Sequence, residues 1–311
     1  MNIIFFGSPT YSSKVLKYLI GSRHSVKAVI TQDIKKSQKK RDLKTPVGLF
    51  SEKNNILTLY PDDLEYYGFV DKLEKLKADV FLIYAYGKIL PKELINIPKF
   101  GVINIHCSLL PKWRGAAPIQ RALLNKDSIT GVTFFKIDES LDTGNIISSH
   151  EYKIEEGEDS LSLQDNLTQL AITNLEEAFQ INSNNSIFIE QDNAVATYAK
   201  KLSKAEALIS WGDDAETIIL KLKAFAGWSG IDAELLGTKF KIIDAKYFSD
   251  NGSSKPGSII NFDHDKLEIA AKNGFIQIHK LQLPGKNIIT CRDLFNSNSE
   301  FSGKIKNYCV K

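Results

Sequence analysis

The sequence predicts two domains, an N-terminal α/β domain on a parallel or mixed sheet and a C-terminal small β domain. Three observations carry this. An apolar run at 2–6 closes on Gly7-Ser8-Pro9 and leads through a helical stretch, about 10–20, into a second apolar run at 24–31. Such a strand–turn–helix–strand start opens a parallel sheet with right-handed connections. From Gly230 the pattern changes to short alternating runs at 232–236, 240–245, 266–271 and 275–281, punctuated by Gly, Asn and Pro. Finally, 311 residues suggest about two domains. The expected organisation is a Rossmann-like domain at 1–189, a linker at 190–206, and at 207–311 a small β-barrel of the OB type that binds nucleic acids.

Phe6-Gly7-Ser8-Pro9 lacks the later glycines of GxGxxG, so the first turn does not read as a dinucleotide site. Residues 33–44 form a polar loop with Lys35, Lys36, Lys39, Lys40, Arg41 and Lys44 against Asp33 and Asp42. The loop follows the carboxyl end of a parallel strand, the edge where open α/β sheets bind ligands, and its charge suits nucleic-acid phosphates. A helix at 45–52 and a short strand at 56–59 come next. Asp62 with Glu65 reads as a capping box for a helix running to about Leu76. Residues 79–84 read as a buried strand, after which Ala85-Tyr86-Gly87-Lys88-Ile89-Leu90-Pro91 leaves the sheet edge as a loop. A strand at 101–107, a helix at 118–124 and paired strands at 130–136 and 145–152 follow. Between the pair lies an acidic turn, Asp138-Glu139-Ser140-Leu141-Asp142-Thr143-Gly144. A helix from 160 to about 179 ends at Ile181-Asn182-Ser183-Asn184-Asn185-Ser186, and Ser203 with Glu206 forms a second capping-box signature.

The strand at 101–107 carries the first chemical signal. Side chains alternate faces along a strand, so Asn104 and His106 emerge side by side on one face while Cys107 points to the other. An unpaired amide in such a place costs roughly 2–7 kcal/mol, and a fold rarely needs two such groups together. Cys107 is a small buried filler by the same alternation, not a nucleophile working with His106.

Composition narrows the function classes. A hydrophobic content of 43% and a charged content of 25% fit a soluble globular chain. No run approaches the roughly 18 apolar residues of a membrane helix, and the first apolar run is too short for a signal peptide. Cys107, Cys291 and Cys309 form no CxxC pair, which points to a reducing, cytoplasmic setting. His24, His150, His264 and His279 stand at no ligand spacing, so no metal site is expected. Of the net charge of +3, residues 201–311 carry the whole surplus, 16 Lys and Arg against 13 Asp and Glu. A monomer is the expected state.

Asn104, His106 and Ser108-Leu109-Leu110-Pro111, with the later Leu141-Asp142-Thr143-Gly144, resemble the 10-formyltetrahydrofolate-dependent formyltransferases. Trp113-Arg114-Gly115-Ala116-Ala117-Pro118-Ile119-Gln120-Arg121, Ala85-Tyr86-Gly87 and Tyr198-Ala199-Lys200-Lys201-Leu202-Ser203-Lys204 are similar to the tRNA-directed branch. The likeness spans nearly the full chain. It departs from the family pattern at Cys107, where Gly is common, at Asn145, where Asp is common, and in the 33–44 loop, which has neither Pro nor Gly.

The resemblance implies transfer of a formyl group from N10 of 10-formyltetrahydrofolate to the α-amino group of methionine on initiator tRNA, for translation initiation. It implies Asn104, His106 and Asp142 as catalytic residues. Folate would lie against Ser108, Leu109, Leu110, Pro111, Tyr86, Ile89 and Leu90, and tRNA against Lys35, Lys36, Lys39, Lys40, Arg41 and Arg114. The chemistry asks for such groups. An α-amine titrates at roughly 7.7–8.0, so the nucleophile needs little help, whereas the oxyanion of a tetrahedral intermediate does. One fixed donor there contributes about 2.7–4 kcal/mol. The Asn104 amide suits that task. An imidazole with its ordinary value near 6.5 suits the proton, and Asp142 can orient it or an ordered water. Two competing readings are a formyltransferase acting on a small amine, such as an amino sugar nucleotide or a purine precursor, and a non-catalytic folate- or RNA-binding module.

Overall fold

The computed structural model describes residues 1–34, 43–62, 64–184, 187–228, 230–250 and 254–309. The chain forms two compact units. One comprises Met1–Pro118, Ser128–Ile154 and Leu163–Lys200, the other Ile119–Asp127, Glu155–Ser162 and Lys201–Lys311.

In the first unit β1 (Asn2–Gly7), α1 (Thr10–Gly21) and β2 (Ser25–Ile30) follow one another as expected. A short antiparallel pair, β3 (Asp33–Ile34) with β4 (Leu43–Lys44), precedes α2 (Pro46–Lys53) and β5 (Thr58–Leu59). Then come α3 (Tyr67–Lys75), β6 (Val80–Tyr84), α4 (Lys92–Ile95), β7 (Val102–His106) and the two-residue β8 (Arg114–Gly115). Along the chain there follow α5 (Pro118–Leu124), which after Pro118 belongs to the second unit, the long pair β9 (Ile129–Lys136) and β10 (Ile146–Lys153), α6 (Ser160–Ser183) and β11 (Tyr198–Ala199).

Seven strands form one sheet in the order β10-β9-β7-β6-β1-β2-β5. The five from β5 to β7 run parallel, while β9 lies antiparallel to both β7 and β10, so the sheet is mixed. β6, and β1 from Ile3 onward, are buried without a polar interruption because both of their faces are covered. Ile3, Ile4, Phe5 and Phe6 are fully buried, each contributing about 1.5–3 kcal/mol. The chain travels from β1 outward to β5, then returns to β6 and β7 on the other side. That reversal opens a crevice at the carboxyl ends of β1 and β6, with the end of β7 beside it.

The helix expected from Asp62 and Glu65 starts later. α3 begins at Tyr67, with Tyr66 as N-cap and no side-chain cap. Tertiary contacts use the earlier residues otherwise: Leu64 is buried in the core, and the Lys88 ammonium takes the carbonyls of Pro61 and Asp62 at 3.0 and 3.3 Å.

The second unit contains the expected antiparallel β domain. α7 (Ala215–Ala224) precedes β12 (Ile231–Leu235), β13 (Thr238–Ser249), β14 (Ile259–Phe262), β15 (Leu267–Ala271), β16 (Gly274–Gln282) and β17 (Ile288–Thr290). α8 (Cys291–Asn296) and α9 (Glu300–Cys309) end it. The order is β12-β13-β16-β15-β14, with β17 on β16, and Leu208 forms an isolated parallel bridge to Asp232 on the outer side of β12. β14 and β17, of four and three residues, are too short to stand out by alternation.

Within this unit, Ser203 and Glu206 cap a 3-10 turn, Lys204–Ala207, not an α-helix. Arg121 donates to the Glu206 carboxylate at 2.6 and 3.3 Å, and the Ser203 N–H and hydroxyl donate at 2.9 and 3.0 Å. The Arg121 guanidinium first, and then the Ser203 groups, hold the Glu206 carboxyl down to about 2. A depressed carboxyl stabilises the fold above its unfolded value near 4.5 and loses that contribution as pH falls toward 2. Glu206→Gln should therefore lower stability at pH 7 by about 1 kcal/mol or less, given solvent screening. Denaturant melts should show the gap to the parent closing between about pH 4.5 and 2; a gap independent of pH would refute the pairing.

Candidate active site

Asn104 and His106 share one face of β7 at the carboxyl end of the sheet. Asn104 is half-buried, and its side-chain amide makes no hydrogen bond among the described residues. His106 is buried, edge-on to Phe135 at 6.3 Å between ring centroids. Its Nε2 lies 2.8 Å from the Trp113 carbonyl oxygen. A carbonyl only accepts, so Nε2 carries the hydrogen and Nδ1 of the neutral ring is left as the proton acceptor. Nδ1 faces Asp142 Oδ2 at 3.8 Å, close enough for charge attraction to an imidazolium but too far for a hydrogen bond. The orientation of the ring thus comes from the main chain at Trp113.

That carbonyl is aimed by an uncommon backbone conformation. Trp113 has φ of 62°, a left-handed value unusual for a large residue. Thr197 holds it there: its hydroxyl accepts from Trp113 N at 2.9 Å, and its carbonyl accepts from Arg114 N at 2.8 Å. β8 and β11 then run as a short parallel pair.

Asp142 comes from the turn between β9 and β10, also left-handed at φ of 53°, which Asp tolerates. Its Oδ2 accepts the Gly115 N–H at 2.7 Å, so the carboxylate is held by the main chain just beyond Trp113. The same turn is fastened at Asp138, which accepts from Ser140 N and the Thr143 hydroxyl at 2.8–2.9 Å. Its exit passes very close to β9: Lys136 N donates to Asn145 O at 2.9 Å, and a Cβ at Gly144 would fall 1.7 Å from Lys136 O. Only glycine fits there. The Lys136 ammonium, by contrast, points to the Phe100 carbonyl and to Asn182 Oδ1 at 2.8 Å, and burial lowers it to about 8.

The segment after β7 is pinned from β9. Thr133 Oγ1 donates to Ser108 O at 2.7 Å and accepts from Leu110 N at 3.1 Å, while the Ser108 hydroxyl donates to Lys112 O. Leu110 is buried, whereas Leu109 and Pro111 are half-buried. Tyr86 and Leu90 sit inside the core cluster with Phe6, and Ile89 is 76% exposed, so the three do not present one common surface. Lys35, Lys36, Lys39, Lys40 and Arg41 lie outside the described residues.

Arg114 requires a correction. Offered by the sequence as a tRNA contact, it is 1% exposed, with its guanidinium on Gln191 and Asn193. Its charge faces inward because the β8–β11 pairing turns the residue into the unit. Sequence reading missed those partners, along with Thr133 and Thr197. Gln191 falls in a stretch without apolar periodicity, and its one signal is proximity to Tyr198-Ala199-Lys200. On the other face of the sheet end, Cys107 meets the Tyr84 hydroxyl at 3.4 Å and Gln164 at 3.6 Å, and burial pushes its thiol up, away from a reactive thiolate.

Residues 1–178 match the formyl transferase family, and residues 201–299 match the formyl transferase C-terminal domain. A methionyl-tRNA formyltransferase of Legionella pneumophila is 35% identical over 299 residues, covering 96% of this chain and 95% of the relative. The chain belongs to the methionyl-tRNA formyltransferase family. A second such enzyme, from Colwellia psychrerythraea, is 35% identical over 315 residues, covering 97% and 95%. Among solved structures, an N-formyltransferase of Helicobacter canadensis, in complex with folinic acid and dTDP-3-aminofucose, superposes with a TM-score of 0.66 at 20% identity. That match covers 89% of this chain and 97% of the other. HypX from Aquifex aeolicus, in complex with tetrahydrofolic acid, gives 0.67 at 16% identity over 94% of this chain and 46% of its own. Both share the fold.

Because Gly144 meets Lys136 O so closely, Gly144→Ala should displace the Asp142 turn and cost about 1–3 kcal/mol. Thermal melts with formyl-transfer assays check this; a variant matching the parent in both would show that the close approach is not needed.

Proposed function

We propose that this protein transfers the formyl group of 10-formyltetrahydrofolate to the α-amino group of methionyl-tRNA, the initiator species, giving N-formylmethionyl-tRNA for translation initiation. The observation that carries the reading is the convergence of Asn104, His106 and Asp142 at the carboxyl end of β7 in a chain of this family. The unengaged Asn104 amide can donate to the oxygen of the formyl group as the amine adds to its carbon. His106 Nδ1 takes the proton that the amine loses as the C–N bond forms. The Asp142 carboxylate, 3.8 Å away, favours the imidazolium that results. As the bond to N10 breaks, the same proton is available to the leaving nitrogen, so His106 ends the cycle neutral.

The residues present fit a folate. The donor supplies an activated formyl group on an aromatic amine with a large apolar body. Half-buried Leu109 and Pro111 offer apolar surface, and the Leu110 carbonyl accepts no hydrogen bond among the described residues. An apolar wall with a few fixed main-chain groups is what such a pocket needs. The Lys and Arg surplus over 201–311 supports a role for the second unit in holding tRNA phosphates, and the lysine-rich sequence at 33–44 supports a separate contribution.

The test offers formyl donor with charged initiator tRNA, and separately with an amino sugar nucleotide. Formylated methionyl-tRNA alone is expected; formylation of the sugar alone would overturn the reading. Asn104→Ala should lower kcat about 10²- to 10³-fold with little change in KM for the donor. Near-parental turnover would remove the amide from the oxyanion role.

A further inference from the structure

Behind the reacting face lies a buried group that the chemistry above does not use. Gln191 is 5% exposed, and every hydrogen-bonding capacity of its amide is filled. Its Oε1 accepts from Arg114 Nε at 3.0 Å and Nη2 at 2.8 Å. Its Nε2 donates to the carbonyls of Asp142 at 3.0 Å and Gly144 at 2.7 Å. Turned over, the amide would set its NH2 against guanidinium donors and its oxygen against two carbonyl oxygens, so one orientation alone satisfies all partners. Arg114 is fixed in turn by Asn193 Oδ1 at 2.9 Å, and its own N–H by Thr197.

From this we infer that Gln191 is a positioning residue for formyl transfer, one that sets the main chain on both sides of Thr143 and so places the Asp142 carboxylate beside His106. The inference rests on the proposed function. Its chemistry is specific. An amide can accept from a guanidinium and donate to carbonyls at once; a carboxylate can do only the first, an ammonium only the second. Asp142 has a second tether, its Oδ2 on Gly115 N–H, and Gly115 follows Arg114 directly. Arg114 and Gln191 therefore hold the carboxylate from both ends, through β8 and through the turn.

Gln191→Glu separates the two functions. It keeps an acceptor for Arg114, so the thermal midpoint should stay near the parent's, but it places carboxylate oxygens against the carbonyls of Asp142 and Gly144. With full-length protein, formyl donor and charged tRNA, kcat should fall about 10- to 100-fold, with KM for both substrates within about threefold, as for a misplaced reacting group. In an Asp142→Ala background the same substitution should change kcat by less than about threefold, because Gln191 acts through Asp142. Should Gln191→Glu fail to fold, Gln191→Met enters the same cycle without the like-charge contact. Parental kcat in the single variant, a loss expressed in KM, or losses that multiply in the double variant would overturn the proposal. So would failure of both Gln191 variants to fold while Asp142→Ala folds, since the amide would then be structural alone. A parent protein inactive on charged tRNA would instead remove the function on which the inference stands, an outcome distinct from these.

Discussion

Taking a guanidinium out of water obliges the chain to surround it with acceptors, and the buried Arg114 is the constraint on which this site depends. Its side-chain partners are amide oxygens, from Gln191 and Asn193, and its main chain pairs with Tyr198–Ala199. Each partner is tied to something that matters. Gln191 carries the Asp142 turn, Thr197 carries the twisted Trp113, and Trp113 carries the imidazole. Three segments far apart in the chain are thereby fixed to one another with few degrees of freedom left. Side chains held in this way need not be ordered when substrates arrive, which is where preorganisation gains its advantage.

The division of labour at His106 follows from the same fastening. With Nε2 committed to a carbonyl, the ring cannot exchange tautomers without losing a bond that its buried position makes costly to lose. Nδ1 is the nitrogen left able to accept a proton. The carboxylate opposite, 3.8 Å away, does not hold the ring, as Asp does in many histidine dyads.

Much of this was legible in the chain. Period-two alternation is enough to put Asn104 and His106 on one face and Cys107 on the other, and continuous apolar runs are enough to mark β1 and β6 as covered on both sides. Where the sequence predicts an element between 24 and 153, its limits fall within a residue or two, with α3 the exception, whereas it does not predict the short β3, β4, α4 and β8 at all. What could not be read was tertiary substitution for local rules. Asp62 and Glu65 have the spacing of a cap, yet Lys88 binds the main chain at Asp62 and Leu64 is drawn into the core, so the helix starts only at Tyr67. Arg114 carries the residue type of a phosphate ligand, and only the pairing of β8 with β11 reveals that it faces inward. Gln191 is invisible for the same reason: its importance lies in partners 77, 49 and 47 positions away, and no periodicity encodes them.

The close of the first unit at Lys200 has a consequence for modular exchange. A cut near residue 178 or 189 would look natural, since the long helix α6 ends at Ser183 and apolar patterning stops soon after. Such a fragment would keep Asn104, His106 and Asp142 and lose Gln191, Asn193 and Thr197, the groups that fasten the segments around them. Chimaeras joined there would carry Asn104, His106 and Asp142 on an unbraced frame. Those joined beyond Ala199 would inherit the brace as well, so the exchangeable module reaches some ten to twenty residues past either cut.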